Sequence, residues 1–357
     1  MSYILHTVSM YLGRVMIRTG LIGFGVSSTI FHIPFLSALS ELSITAVVSS
    51  RPNEVEAVLP TASCYSTIEE MLLKSELDLI VITSPNDTHF NYAKQALESD
   101  CHVLVEKPFV IRSGEGLQLI KIARERNKIL CPFQNRRWDG DFLTVKSLIE
   151  SGELGSVRLF ESHFDRYRPN VSGRWRELPG AGTGMLFDLG SHLIDQALLL
   201  FGDPSAISAR SHAMRPESQA VDYFRVVLHY SDKEVILGSS PFRSGHGLRF
   251  EVQGTIATFT SYGVDIQEKQ LRAGLSTSAP DFGVQNHPGT IEVGDGKETR
   301  DIALERGCYS ELFARLAEAI IDGKPSPINA EDATKVIYAI ELAQHAADTG
   351  KAHRWEF

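Results

Sequence analysis

Through the first third of the chain, short unbroken apolar runs alternate with longer stretches whose apolar positions recur at helical spacing. The runs Ile17–Ile22, 44–48, 79–83, His102–Val105 and 128–133 predict strands, and their continuous apolar character predicts burial on both faces. The stretches 66–73, 89–99 and 113–127 predict helices, the last with Ser113 as N-cap, and Pro34 is placed to divide or kink the helix after the first strand. Such alternation builds a parallel sheet covered by helices. From residue 157 the pattern changes. Stretches 157–166, Ala206–His212, 223–230, 234–238, 250–253 and Ala257–Tyr262 follow one another through short polar turns, predicting a largely antiparallel sheet. Helices are predicted at 142–150, 309–321 and 330–347, the last capped by Asn329, and the polar, glycine-scattered segment 263–300 predicts loops and short hairpins. A sheet with so few helices is expected to leave one broad apolar face, which predicts a homodimer or homotetramer through it.

The first strand runs directly into Gly23-Phe24-Gly25-Val26-Ser27-Ser28, a G-x-G-x-x-S turn leading into a helix. In that context the turn fits a dinucleotide-binding fingerprint: the first glycine permits the tight turn, the second lets the backbone meet a pyrophosphate, and a small third residue allows close packing. The second strand ends at Ser49-Ser50-Arg51 without the acid that grips an unmodified ribose; the nearest downstream acid is Glu54. Hydroxyls and a guanidinium suit a 2′-phosphate, so NADP is expected over NAD. The remaining strand ends carry Ser84-Pro85-Asn86-Asp87-Thr88-His89, Glu106-Lys107-Pro108 and Asn135. Ligands of a parallel sheet collect at the carboxyl ends of its strands. The candidate cofactor-binding set is therefore Gly23, Phe24, Gly25, Ser27, Ser28, Ser50, Arg51, Ser84, Pro85, Asn86, His89, Glu106, Lys107 and Asn135.

A length of 357 residues predicts two domains. They are a dinucleotide-binding Rossmann domain with a doubly wound parallel sheet over 17–136, and an α+β domain with a large, mostly antiparallel sheet over 137–357. Residues 1–16 lack the charge pattern of a secretory signal and read as an extension outside the fold, with Met16 as an alternative start. The net charge of −9 argues against nucleic acid or an anionic membrane as partner, and no run is apolar enough for a membrane span. Cys64, Cys101, Cys131 and Cys308 have neither metal-binding nor disulfide spacing, which fits a reducing cytoplasm.

The chemistry is expected in Gly182-Thr-Gly-Met-Leu-Phe-Asp188-Leu-Gly-Ser-His192-Leu-Ile-Asp195. A glycine-rich approach precedes Asp188 and His192, which share a face if the segment is helical, with Asp195 a further turn along. Taken alone, the pair is better read as a helix cap and a buried structural histidine, and only the rest of the chain turns the balance towards chemistry.

Together, the glycine turn, Thr-Ser-Pro-Asn-Asp-Thr-His, Glu-Lys-Pro and Asp-x-x-x-His-x-x-Asp resemble the glucose–fructose oxidoreductase/inositol dehydrogenase (Gfo/Idh/MocA) family. The segments 134–139, 165–169, 174–177 and 188–196 look like its NADP-dependent scyllo-inositol dehydrogenase branch. The resemblance implies an NADP-dependent dehydrogenase acting on an alcohol of a cyclic polyol or sugar, with Lys107, Asp188 and His192 as catalytic residues and no metal. Lys107 would meet the developing alkoxide charge, His192 would act as general base, and Asp188 would orient it or bind a neighbouring hydroxyl. Substrate contacts are expected from Lys107, Trp138, Tyr167, Arg168, Asp188 and His192, within a polar-aromatic set that also holds Asn135, Arg136, Asp165, Arg174 and Trp175. Ion pairs between the domains would use the same side chains. An NAD-assisted glycoside hydrolase and a non-catalytic dinucleotide-binding sensor are the alternatives on this fold. Ser28 and residues 1–16 depart from the family pattern.

Overall fold

The apolar runs of the first third pair as the alternation requires. In a computed structural model, which describes residues 16–173 and 177–357, they form β1 (Ile17–Ile22), β2 (Leu42–Val48), β3 (Ser63–Tyr65), β4 (Leu79–Ile82), β5 (His102–Val105) and β6 (Leu130–Pro132). The sheet order is β3-β2-β1-β4-β5-β6 and every pairing is parallel. Of its two central strands, β4 is completely buried, as its unbroken apolar sequence demands, and β1 is buried except at Arg18. The three-residue edge strand β3 and the helix Pro52–Val58 before it carry no distinct hydrophobic period and escape the sequence pattern. Ser113 is not the cap of its helix. Arg112 holds that position, while Glu115 accepts from the amides of Ile111 and Arg112, and Ser113 donates its amide and hydroxyl to Glu341.

The second half forms β7 (Val157–His163), β8 (Ala206–His212), β9 (Tyr223–His229), β10 (Glu234–Ser239), β11 (Leu248–Gly254), β12 (Ala257–Tyr262), β13 (Gly289–Val293), β14 (Glu298–Ile302) and β15 (His353–Arg354). They assemble in the order β14-β13-β12-β11-β7-β10-β9-β8-β15, with β7 and β10 parallel and the rest antiparallel. The segment 263–300 contains the expected hairpin strand β13 and also a short helix, Gln267–Arg272, that the polar sequence did not announce. The sheet's outward face is not broadly apolar. Strict alternation places Glu161, Arg225, Glu251 and Thr258 there among Leu159, Val227 and Ile236, while Phe160, Val226 and Val252 point inward and are buried.

The two sheets share one interior. The helix Ala330–Thr349, capped by the Asn329 side chain, packs on the helix Ser113–Glu125, on the helix Ser191–Phe201 and on β8. A second cluster stacks Phe35 on Phe313 at 5.1 Å, so the last third of the chain closes over the first strands. Each such aromatic pair contributes about 0.5–1.5 kcal/mol beyond area burial. The carboxyl ends of the parallel strands are thereby held against the start of the helix Ser191–Phe201.

Candidate active site

The chain crosses back over the parallel sheet between β1 and β4, and the carboxyl ends of those neighbours open a crevice that takes the glycine turn. Gly23 sits there at φ +95°, where a Cβ would lie 3.0 Å from Thr83 Oγ1. A Cβ on Gly25 would meet nothing within 4 Å, so the second glycine faces open space of the kind a pyrophosphate would use. Ser28, at the third small position, is fully buried and knits the turn together. Its hydroxyl donates to the Gly23 carbonyl at 2.9 Å, accepts from the Gly25 amide at 3.2 Å and meets Thr83 Oγ1 at 2.7 Å. A wide π-turn, Ser28–His32, precedes Pro34, and a regular helix resumes at Ile33 with the proline in its first turn. At the end of β2 the Arg51 guanidinium binds the Phe24 carbonyl and pairs with Glu54 at 3.1 Å, leaving Ser50 exposed beside it. This set of groups fits a dinucleotide.

Glu106 is turned inward. Its carboxylate accepts from the Ser27 hydroxyl and from the Lys107 amide at 2.9 Å, and lies 3.0 Å from His32 Nε2. Burial by itself would raise its pKa, but the His32 bond and charge, with the Ser27 bond, bring it down to about 2. Glu106 thus ties the glycine-turn helix to the end of β5 and fixes the backbone of Lys107, whose bond to Pro108 is cis. The buried His89 ring spans Pro108 O at 2.9 Å and Ser84 O at 3.0 Å, joining the β4 and β5 ends, and burial lowers its pKa. Ser84 Oγ pairs with Thr88 Oγ1 at 2.6 Å, and Pro85 precedes the short turn Asn86–Thr88. The buried Asn86 amide donates to Gly182 O at 2.8 Å. Of the proposed cofactor set, Glu106, His89 and Asn86 therefore brace the loops around the crevice.

Asn86 grips the approach to the helix Ser191–Phe201. Gly182, at φ +71°, leaves room for a Cβ no farther than 3.1 Å from Ile111, so the loop lies tight on the first domain. Leu186–Gly190 is a π-turn, and a regular helix runs from Ser191. Lys107 Nζ donates to Asp188 Oδ1 at 2.6 Å and to Asp188 O at 2.7 Å. Proposed partners 81 positions apart thus meet across the domains. His192 is 4% exposed; its Nδ1 is sealed without a partner among the described residues, and Nε2 is the nitrogen that retains access. Burial, then the charges of Lys107 and Arg136, push its pKa well below 6.5, with Asp188 opposing them. Its imidazole is therefore neutral at ordinary pH. Asp195 turns away to Arg137, in a buried two-point ion pair of 2.8 and 2.7 Å.

Behind His192 lies a network with no local sequence signature. Phe164 meets the His192 ring edge at 6.5 Å and lies beneath the guanidiniums of Arg136 at 4.9 Å and Arg249 at 4.1 Å. Arg136 reaches Glu268 at 2.8 Å and Asp139 at 3.3 Å, and Tyr309 donates to Asp139 at 2.6 Å. Arg249 is fully buried against Asp141, Ser162 and Gln196, and Gln196 holds the Arg136 carbonyl at 2.7 Å. Arg136 and Glu268 stand 132 positions apart.

The substrate candidates divide. Lys107, Asp188 and His192 converge. Trp138 is 7% exposed and packs in the cluster that holds Tyr309 and Phe313, making it a core side chain rather than a cleft wall. Asn135 is buried at the end of β6. Tyr167 is 63% exposed and pairs by backbone with Phe242, and Arg168 is also exposed. Arg174, Trp175 and the 1–15 part of the extension lie outside the described residues. Thr83, Arg166 and Glu268, which lie beside Ser28, Asp188 and Arg136 respectively, were not singled out as candidates from the sequence. Among the described residues no cluster of His, Cys, Asp and Glu could hold a metal, and no helix is long and apolar enough to cross a membrane.

Residues 17–133 match the description "Oxidoreductase family, NAD-binding Rossmann fold", and residues 146–354 match "Oxidoreductase family, C-terminal alpha/beta domain" of the same Gfo/Idh/MocA grouping. The scyllo-inositol 2-dehydrogenase (NADP(+)) IolW of Bacillus subtilis is 36% identical over 335 residues, covering 93% of this chain and 94% of that protein. The oxidoreductase YdgJ of Escherichia coli is 38% identical, over 93% of this chain and 96% of its own length. The solved structure of the Bacillus subtilis oxidoreductase yvaA superposes with a TM-score of 0.92 at 34% identity, covering 96% of this chain and 99% of that one.

Proposed function

Because the chain belongs to the Gfo/Idh/MocA oxidoreductase family, we propose that it is an NADP-dependent dehydrogenase acting on a secondary alcohol of a cyclic polyol or sugar of the inositol type. The observation that carries the reading is Lys107 held on Asp188 at 2.6 Å, with His192 four residues further on at the rim of the dinucleotide crevice. A bound nicotinamide supplies hydride transfer. The side chains do the rest. An ammonium has three N–H groups, and Asp188 takes two of them, through Oδ1 and its carbonyl. The third is available to the reacting oxygen, where it stabilises alkoxide-like charge. Neutral His192 accepts the alcohol proton at Nε2 in oxidation and returns it in reduction. Asp188 balances the lysine charge and fixes its direction.

Preference for NADP rests on Ser50 and Arg51 at the end of β2, and the inositol-type substrate on the printed activity of the relative IolW. Gly23, Gly25 and Ser28 would hold the pyrophosphate turn, and Arg51 the 2′-phosphate. The test is NADPH formation across a panel of inositols and sugars, with NAD⁺ run in parallel. Turnover with NADP⁺ on a cyclic polyol or sugar is expected. Reduction of neither dinucleotide by any member would overturn the reading.

A further inference from the structure

β7 does not stop making ladder bonds where its regular pairing ends. The amides of Phe164, Arg166 and Arg168 donate in turn to the carbonyls of Gly238, Ser240 and Pro241 at 3.0, 3.0 and 2.8 Å. In such extended chain, side chains alternate between faces. Ser162 and Phe164 point inward, under the Arg249 and Arg136 guanidiniums and towards His192. Arg166 follows on that inner side. Asp165 accepts from the Ser240 amide at 2.8 Å and, with the exposed Tyr167, belongs to the other side. Parity along the strand therefore brings Arg166 to the site.

The neighbouring cations are already committed: Lys107 to Asp188, Arg136 to Glu268, Arg137 to Asp195 and Arg249 to Asp141. Arg166 differs. Its guanidinium is partly buried, and its side chain makes no hydrogen bond or ion pair with any described residue. It lies in electrostatic range of Asp188, Glu268 and Arg136, and burial is the main influence on it, lowering its pKa from the usual arginine value. A cation withdrawn from water without a partner is unfavourable. A guanidinium offers planar, paired donors that match two oxygens side by side.

We infer that Arg166 is the specificity-determining contact of the substrate cleft, donating from its guanidinium fork to two adjacent oxygen atoms of the substrate away from the reacting carbon. This rests on the dehydrogenase reading above and narrows its substrate class to molecules that present such an oxygen pair: a vicinal diol of a ring polyol, or the carboxylate of a sugar acid.

The experiment is titration calorimetry of the NADPH-loaded protein with inositols and with hexuronates, alongside hydride-transfer assays on the same ligands. Arg166→Ala and Arg166→Lys are compared with wild type and with Arg158→Ala, an exposed arginine earlier on the same strand. Removing the Arg166 side chain breaks no hydrogen bond or ion pair to any described residue, so the variants should melt close to wild type. Arg166→Ala should weaken binding at least about tenfold, the loss of a charged hydrogen bond, and Arg158→Ala should not. Loss confined to inositols identifies the diol; loss confined to hexuronates, with partial rescue by Arg166→Lys, identifies the carboxylate. Affinity of Arg166→Ala within twofold of wild type for every ligand bound would overturn the inference, as would a wild type that binds no member of the panel. Arg166-dependent binding without hydride transfer would refute the dehydrogenase reading and leave this assignment standing.

Discussion

Lys107 and His192 are asked for opposite things by the same small space. In the reaction proposed above, the lysine must stay charged to meet an oxyanion, and the imidazole must stay neutral to take a proton. Burial, reinforced by the lysine's own charge and that of Arg136, keeps His192 neutral. His192→Ala should lower kcat for alcohol oxidation about 10²–10⁴-fold, and Lys107→Met should do comparable damage by removing the charge at the reacting oxygen. Dinucleotide affinity and melting temperature measured on the same preparations separate this from a structural role; a folded His192→Ala protein with near-normal kcat would refute the assignment. Arg51 calls for a different readout. Its guanidinium already lies over the Phe24 carbonyl, and losing a charged contact to a 2′-phosphate costs about 1.5–3 kcal/mol. Arg51→Ala should raise the NADP⁺ KM about tenfold or more and leave NAD⁺ kinetics nearly unchanged. The motif residues were legible because each is locally distinctive. Arg166 was not, since which of Arg166, Tyr167 and Arg168 faces inward depends on where β7 pairs, not on residue type.

Among the elements, the π-turn before Ser191 and the loop ahead of it decide how Asp188 meets Lys107. An ordinary helical reading places Asp188 and His192 on one face, but the loop's anchorage to another domain is invisible to periodicity. Asn86 supplies it, through a buried bond to Gly182. Asn86→Ala leaves that carbonyl without its partner, a cost of about 1–3 kcal/mol. We expect a melting temperature lower by a few degrees and a drop in kcat larger than any rise in cofactor KM, checked by calorimetry and steady-state kinetics. An unchanged melting temperature would show the strut to be dispensable. The same reasoning explains why β3 and the helix Gln267–Arg272 were missed. Neither has a hydrophobic pattern of its own, and each forms because a neighbour supplies the pairing or the cover.

For the whole molecule, acid stability follows from groups held away from their ordinary titration. Burial, helped by Lys128, pushes His102 down to about 4 from 6.5, and His192 and His89 shift in the same direction. A histidine depressed in the fold takes up a proton on unfolding once pH drops below about 6.5. Its stabilising contribution is complete above that value and is lost as pH falls towards 4. Asp265, pushed up to about 6 by burial and the nearby Asp141, acts oppositely between 6 and 3.8. The cleanest test is the difference between wild type and His102→Gln in thermal melts from pH 7 to 4.5. The wild-type advantage should shrink steadily on acidification; a gap independent of pH would contradict the assignment. We also propose that a second copy covers the outward face of the nine-stranded sheet, whose mixed polar and apolar surface suits such an interface. Light scattering at micromolar concentration should give at least a dimer, and a monomer mass would refute it.

The sequence by itself determined the parallel sheet, the antiparallel sheet that follows and the glycine turn, whereas Lys107, Asp188 and His192 were marked out as candidates through the resemblance of their motifs to the family. It could do so because period-two and period-3.6 patterns and tight-turn chemistry act between near neighbours in the chain. Only the tertiary structure decided which polar side chains serve the cleft and which serve the scaffold. Glu106 turned inward to His32 and Ser27, Arg137 to an ion pair with Asp195, Trp138 went to the core, and Arg166 remained uncommitted among the described residues. The reason is physical: a buried charge takes whatever partner the packing brings within about 3–4 Å. Besides the nearby Asp139, Arg136 binds Glu268 132 residues away, where no local pattern can point.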